Sequence, residues 1–513
     1  MKNLCIGIIE LTIGWKIILD QIGVWYEEVD FDGDLALKYS TIIVNQSVTI
    51  NQEEQLHKYN DNGSSILETS SGDLFSHARF TAKKKVKRLI NTGAIPFLAH
   101  IPFLDIFSEA ELYNGQDNFD GLIDFEKHDQ GIVCNLGIEP GNLIMSNSYT
   151  RKRFFYKKDM HPDELVSNVS KGSLIELIIC ILKELHFQQG LPFVCKWTSP
   201  KEQPVFTFRV DSDYGDQESV TELQNIGKQH QIPFTWFLHI EAHENWLGLF
   251  KEFQNSEIAL HGYEHGTSIS YEHVFNNIER GLQLLKDSGF YPKGFCAPYG
   301  IWNDTLAEVL QKFEFEYTSE FTIGYDSNPF PSYHLNNELK SLQIPIHPIC
   351  TGSLNRKGAT TDEMKVYFLN VMENKLARYE PVMFYHHPLQ SGTTLWNDVF
   401  RKVNELKLTK LSFSEYAEFW KNRLNFSFEV FINPKTKELV FSGSLKDLLI
   451  QVSKNQTSFE LIKVSEHQEI QSCGEFNYHT TNQPAKEEIE QLSSSKLQLL
   501  KTSILDWKNR NRL

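Results

Sequence analysis

FRVDSDYGD (residues 208–216) and ALHGYEHGTS (residues 259–268) decide how this chain is read. Each is an apolar run that halts at side chains able to hold a divalent cation: Asp211 and Asp213 in the first, His261 and His265 in the second. Two acids closing a hydrophobic strand are costly to desolvate unless a cation or a donor compensates them, which points to a functional role. The four-residue spacing of the histidines lets both rings reach one ion. That spacing is weak evidence alone, since 18 histidines in 513 residues produce about 0.6 such pairs by chance. A second pair, His239 and His243 in LHIEAH, lies just upstream. His261 differs in opening a loop with the flexible Gly262, downstream of the two acids. His239 reads instead as a strand-end residue lining a mouth, with His243 exposed at the surface.

Working outward, VFTFRV, PFTWFLHI, EIAL, GFCAP, EYTSEF, LQIPIHP and PVMFYHH are candidate strands separated by helical segments. Parallel strands with polar residues gathered at their C-terminal ends are the layout of an α/β barrel. Upstream, LCIGIIE, WYEEVDF, STIIVNQSV and SSILETS alternate with helices and imply a parallel sheet. That part loosely resembles the flavodoxin-like, three-layer fold of class I glutamine amidotransferases, yet it has no GxCxG turn. Cys5 lies in the first strand and Cys134 has no recognisable catalytic partner. A non-catalytic scaffold, ligand-binding or partner-binding role follows. KKKVKR from Lys83 reads as a solvated helix face. KGSLIELIICILKELHFQQGLP is a helix apolar nearly all round, read as buried between domains. The expected division is α/β throughout: 1–198 flavodoxin-like, 199–424 a distorted barrel, 425–482 a small β module and 483–513 a helical tail.

A net charge of −16 argues against general nucleic-acid binding, which depends on neutralising phosphates. Seven scattered cysteines indicate neither a disulfide framework nor a thiolate zinc site. Glu10, Lys16 and Asp20 interrupt the apolar N-terminus, and no stretch approaches the roughly 18 apolar residues of a membrane span. The expectation is a soluble, cytoplasmic protein.

The order of motifs from about residue 205 to 420 resembles the polysaccharide deacetylase family, also called the NodB-homology or carbohydrate esterase family 4 group. There, a TFDDG segment supplies a base and a metal-binding aspartate, H[ST]xxH two metal-binding histidines, RxPYG follows, and a late histidine is the acid. Here FRVDSDYG, HGYEH, CAPYG and FYHHP keep that order. The resemblance implies that Asp213, His261 and His265 hold a divalent metal, zinc with cobalt or nickel as alternatives. It makes Asp211 the general base, the backbone N–H of Tyr299 an oxyanion donor, and His386 or His387 the acid. Adjacent strand residues point to opposite sides, so one of the two reaches the site, and His387 beside Pro388 is preferred. The implied activity is removal of an N-acetyl, or secondarily an O-acetyl, group from a sugar or polysaccharide. The alternatives are hydrolysis of a non-sugar amide or cyclic C–N bond on the same scaffold, and a catalytically silent carbohydrate-binding protein.

Two departures stand out. The acids are separated by Ser212 rather than adjacent, and a continued strand would place both on one face. Cys296 replaces the family arginine that braces the base, which should raise the pKa of Asp211 and loosen it. Arg209, two residues before Asp211, is either its substitute or a solvated surface arginine.

Overall fold

The run VFTFRVD forms the strand Val205–Asp211, all seven residues of which are buried. A parallel strand covered on both faces has no reason to alternate apolar and polar residues, hence its nearly continuous hydrophobic sequence. It pairs in parallel with Phe234–Leu238 on one side and Val382–His386 on the other. Asp216 then caps the helix Gln217–His230, accepting a hydrogen bond from the Ser219 N–H at 2.8 Å.

The structure is a computed structural model that describes residues 1–75, 82–113, 115–128, 130–157, 161–443, 448–464, 470–479, 484–493 and 504. It divides into two units, one of Met1–Ser146, Val169–Glu202 and Asn422–Gln483, the other of Asn147–Asn168, Gln203–Lys421 and Pro484–Leu513.

The second unit is built on a nine-stranded sheet. Its order is Phe330–His334, Asn337–Gln343, Tyr317–Thr318, Gly294–Phe295, Glu257–Leu260, Phe234–Leu238, Val205–Asp211 and Val382–His386, with Thr409–Lys410 also on Val205–Asp211. All pairings are parallel except that of the first two strands. The end strands are not paired with each other among the described residues, so the expected barrel is open along one side. Phe208 packs on Phe234, Trp396 and Phe400 with ring centroids 4.7–4.9 Å apart, tying the sheet to the helix Leu395–Glu405.

The first unit holds a six-stranded sheet in the order Tyr26–Glu28, Ile6–Ile8, Thr41–Val44, Ser65–Thr69, Gly131–Leu136, Ile123–His128, parallel apart from the last strand. The helix Lys171–Gln188 packs on its central strands. Two expectations change here. Phe428–Ile432 pairs with Lys2–Asn3, and Leu449–Ser453 with Phe193–Lys196, so most of the expected C-terminal module joins the N-terminal unit. Unpaired strand edges were completed by strands hundreds of residues away. KKKVKR is no helix: it lies in the strand Ala82–Ile90, paired antiparallel with Phe103–Leu112. Lys83, Lys85 and Lys87 point outward at period two, and the Lys83 ammonium faces Glu111 at 3.5 Å. Among the described residues no helix is long and apolar enough to cross a membrane.

Arg423 organises one corner of the first unit. Fully buried, its guanidinium donates to the carbonyls of Asp20, Gln21 and Ile22 in the last turn of the helix Ile13–Ile22, and to those of Lys196 and Trp197. Helix-end carbonyls have no intrahelical partner and carry the negative end of the dipole, so a cation there satisfies both. Gly23, at φ 80°, has to be glycine, because a Cβ would sit 2.4 Å from the guanidinium. Arg423→Met is expected to destabilise this unit by about 1–3 kcal/mol for each carbonyl left unpaired. Guanidinium titration measures this, and an unchanged midpoint would show that the carbonyls find other partners.

Candidate active site

Parallel strands deliver the candidate residues to one end of the sheet. On Val205–Asp211, Arg209 and Asp211 share a face, and Arg209 closes on Asp211 with both ends of its fork: Nε to Oδ1 at 2.5 Å and Nη2 to Oδ2 at 2.7 Å. Both side chains are buried, 1% and 5% exposed. Nη1 donates to the Ser319 carbonyl at 2.6 Å and to its hydroxyl at 3.1 Å, while the rings of Phe237, Phe321 and Tyr385 surround the guanidinium at 5.1–5.6 Å. Arg209 is therefore not a surface arginine. The expectation that Cys296 raises the Asp211 pKa is overturned as well. Burial pushes that carboxyl up, but Arg209, His261 and His387 outweigh it and hold the carboxyl below its usual range. Cys296 lies between them, its Sγ 3.8 Å from Asp211 Oδ1 and 2.9 Å from His261 Nδ1.

Asp213 reaches the same place by a different route from the expected one. The strand ends at Asp211, and Asp213 adopts φ 42° in a turn closed by the Gly215 N–H donating to the Ser212 carbonyl. Aspartate tolerates this left-handed region better than most residues. His239 pins the turn, its Nδ1–H donating to the Asp213 carbonyl at 2.8 Å.

His261 follows directly on the strand Glu257–Leu260, and its Nδ1–H donates to the Cys296 carbonyl at 2.9 Å. Nε2 is thereby left with its lone pair. His265 is carried back by a loop, not a helix. Gly262 turns at φ 91°, and Asn277 both accepts from the Glu264 N–H and donates to the Glu264 carbonyl. Asp213 Oδ1 lies 3.4 Å from His261 Nε2 and 3.1 Å from His265 Nε2. Donors around a tetrahedral zinc at about 2.0–2.2 Å stand roughly 3.3 Å apart, so this trio fits one cation.

Of the two late histidines, His387 comes to the cluster, with Nε2 3.6 Å from Asp213 Oδ2 and 3.9 Å from Asp211 Oδ2. Burial alone would lower its pKa, but Asp213, Cys350 and Asp211 raise it to about 10. His386 points the other way, hydrogen-bonded to the hydroxyls of Thr351 at 3.1 Å and Thr393 at 3.2 Å, and burial lowers it to about 3. The geometry thus leaves His386 outside the cluster. Tyr299 sits at φ 61° in the CAPYG turn, with its ring 5.0 Å from that of His265.

The residues His239 and His243 are both wholly buried. This corrects the surface placement expected for His243, which packs against Trp246 and Phe250 at 4.5 and 5.7 Å. Three neighbours had no clear sequence signal: Asn277 in the loop brace, Cys350 beside His387, and Glu320. Cys350 is held at about 7, burial raising it and His387 lowering it.

Residues 199–318 match the family model for polysaccharide deacetylase, so the chain carries a polysaccharide deacetylase domain of the NodB-homology type. No curated protein matches the chain. Among solved structures, it is similar to a Mycobacterium smegmatis protein provisionally described as a polysaccharide deacetylase, at 16% identity over 44% of this chain and 94% of that one, TM-score 0.39. It is also similar to a family 4 carbohydrate esterase from Streptomyces lividans in complex with acetate, at 17% over 40% and 91%, TM-score 0.30. A third is a CE4 family pseudoenzyme from Bacillus anthracis, at 13% over 52% and 89%, TM-score 0.31.

Glu320 supports the CAPYG turn from beneath. Its Oε1 accepts the Ala297 N–H at 3.0 Å, Oε2 has no partner among the described residues, and burial lifts the carboxyl from 4.5 to about 7. A raised folded-state pKa stabilises the fold fully below about 4.5, a contribution lost as pH climbs through about 7. Glu320→Gln should therefore gain stability relative to the parent between about pH 5 and pH 8, by on the order of 2–3 kcal/mol. Melting curves of both proteins across that range test it, and a pH-independent difference would contradict it.

Proposed function

We propose that the domain is a metal-dependent deacetylase that hydrolyses an N-acetyl group on a sugar or polysaccharide. Asp213, His261 and His265 would hold the cation, zinc by its preference for this nitrogen and oxygen set, with cobalt and nickel as functional replacements. When bound, such a cation supplies Lewis acidity, acidifying a water and polarising the acetyl carbonyl. Asp211 takes the proton of the attacking water. Arg209 occupies one lone pair on each of its oxygens, leaving others to accept, and keeps the group ionised and aimed. The backbone N–H of Tyr299 stabilises the developing oxyanion. His387, protonated, gives its proton to the departing amine nitrogen, the step that an amide needs and that favours N-acetyl over O-acetyl substrates.

The observation that supports this best is the convergence of His387 Nε2, 3.6 Å from Asp213 Oδ2 and 3.9 Å from Asp211 Oδ2, on the place where Asp213 meets His261 and His265. The bracing of Asp211 by Arg209 also weighs against a catalytically silent binder.

Acetate release from N-acetylglucosamine oligomers and peptidoglycan fragments, with zinc, cobalt or nickel added, tests the activity. Asp211→Asn should cut kcat by about 10²-fold or more while leaving metal content unchanged, and full turnover would remove Asp211 from the mechanism. His265→Ala should lose metal and turnover together, and unchanged metal content would sink the ligand assignment. Hydrolysis of simple amides or cyclic ureides without acetate release would move the reading to the non-sugar alternative.

A further inference from the structure

We propose that His100, Glu176 and Cys180, in the N-terminal unit, form a second divalent-cation site suited to zinc. The inference does not rest on the deacetylase reading. Glu176 and Cys180 stand four residues apart on the helix Lys171–Gln188, hence on one face. His100 comes from the segment after the short turn Pro96–Leu98.

His100 Nε2 is 3.1 Å from Glu176 Oε1, and Cys180 Sγ is 3.7 Å from each of them. A tetrahedral zinc with nitrogen and oxygen at about 2.0–2.2 Å and sulfur at about 2.3 Å has donor separations of roughly 3.3–3.6 Å. The three atoms therefore already form one triangular face of such a site. An ordinary His–Glu ion pair needs no thiol at the third corner.

The surroundings fit a cation. Asn91 donates from its amide to the carbonyls of Leu98 and Ile101, at 2.7 and 2.9 Å, and so holds the chain on both sides of His100. Cys180 is 2% exposed, whereas the side chains of His100 and Glu176 are 20% and 23% exposed, which leaves an edge open to a water as fourth donor. The Lys183 ammonium interacts electrostatically with both Glu176 and Cys180. Imidazole with thiolate selects zinc over magnesium or calcium. The cation would clamp the 91–102 segment to the helix, a structural role distinct from the hydrolytic centre.

Cobalt(II) loading of the full-length protein separates the two centres, because only this one presents a thiolate among the assigned donors. The wild type should show a sulfur-to-cobalt charge-transfer band in the near ultraviolet. The band should vanish in Cys180→Ser and His100→Gln and persist in His261→Ala. Zinc analysis should show one equivalent fewer in His100→Gln than in the wild type. Absence of the band from the wild type overturns the proposal without recourse to any variant. So does a band that survives Cys180→Ser but disappears with His261→Ala, which would place the thiolate at Cys296. Unchanged metal content in His261→Ala, with the band still present, would count against the deacetylase reading and leave this site standing.

Discussion

The buried pair of Arg209 and Asp211 is the interaction on which the second unit depends. Removing both charges from water costs several kcal/mol per ion, repaid only when geometry and hydrogen bonding are nearly complete. Here they are: two parallel bonds join the fork to the carboxylate, a third donor meets the carbonyl and hydroxyl of Ser319, and three aromatic rings enclose the guanidinium. Strand pleating puts residues two apart on one face, so the pair is set by Val205–Asp211 itself. The same strand is hydrogen-bonded on one side to Phe234–Leu238 and on the other to Val382–His386, which leads into His387. Packing of the sheet and orientation of the proposed base are thus one constraint.

That arrangement explains how cysteine can stand where the family motif carries arginine. With the guanidinium supplied from within the strand Val205–Asp211, position 296 needs only a small side chain that fits between Asp211 and His261. Cys296 fills this space completely buried, and its backbone carbonyl still fixes the orientation of His261. The thiol is pushed well above its ordinary pKa by burial, with the neighbouring carboxylates adding to the shift against the opposing pull of Arg209, so it stays neutral beside the ion pair.

Much of the second unit and its candidate site was legible from the chain because the signals are local. Buried parallel strands appear as apolar runs, and four motifs keep their order. Pleating and the neighbouring proline separated His387 from His386. What escaped depends on non-local or non-repeating backbone. Asp213 joins the cluster through a left-handed turn rather than the pleat, although the strand argument brought it to the right place for the wrong reason. His243 looked polar and therefore exposed, yet Trp246 and Phe250 cover it. The lysine run was weighed by charge when its period of two was the better guide, and Cys350 lies 37 residues before the histidine that it adjoins. The strands 428–432 and 449–453 carry no mark of the distant edges they complete.

The central claim is that one cation sits on Asp213, His261 and His265 while Arg209 holds Asp211 beside it. Anomalous diffraction at the zinc edge from zinc-loaded crystals tests this directly. The account predicts a peak about 2.0–2.2 Å from an Asp213 oxygen, His261 Nε2 and His265 Nε2, with Arg209 still bidentate on Asp211. A zinc-loaded structure with no peak there, or with Arg209 released from Asp211, would contradict it.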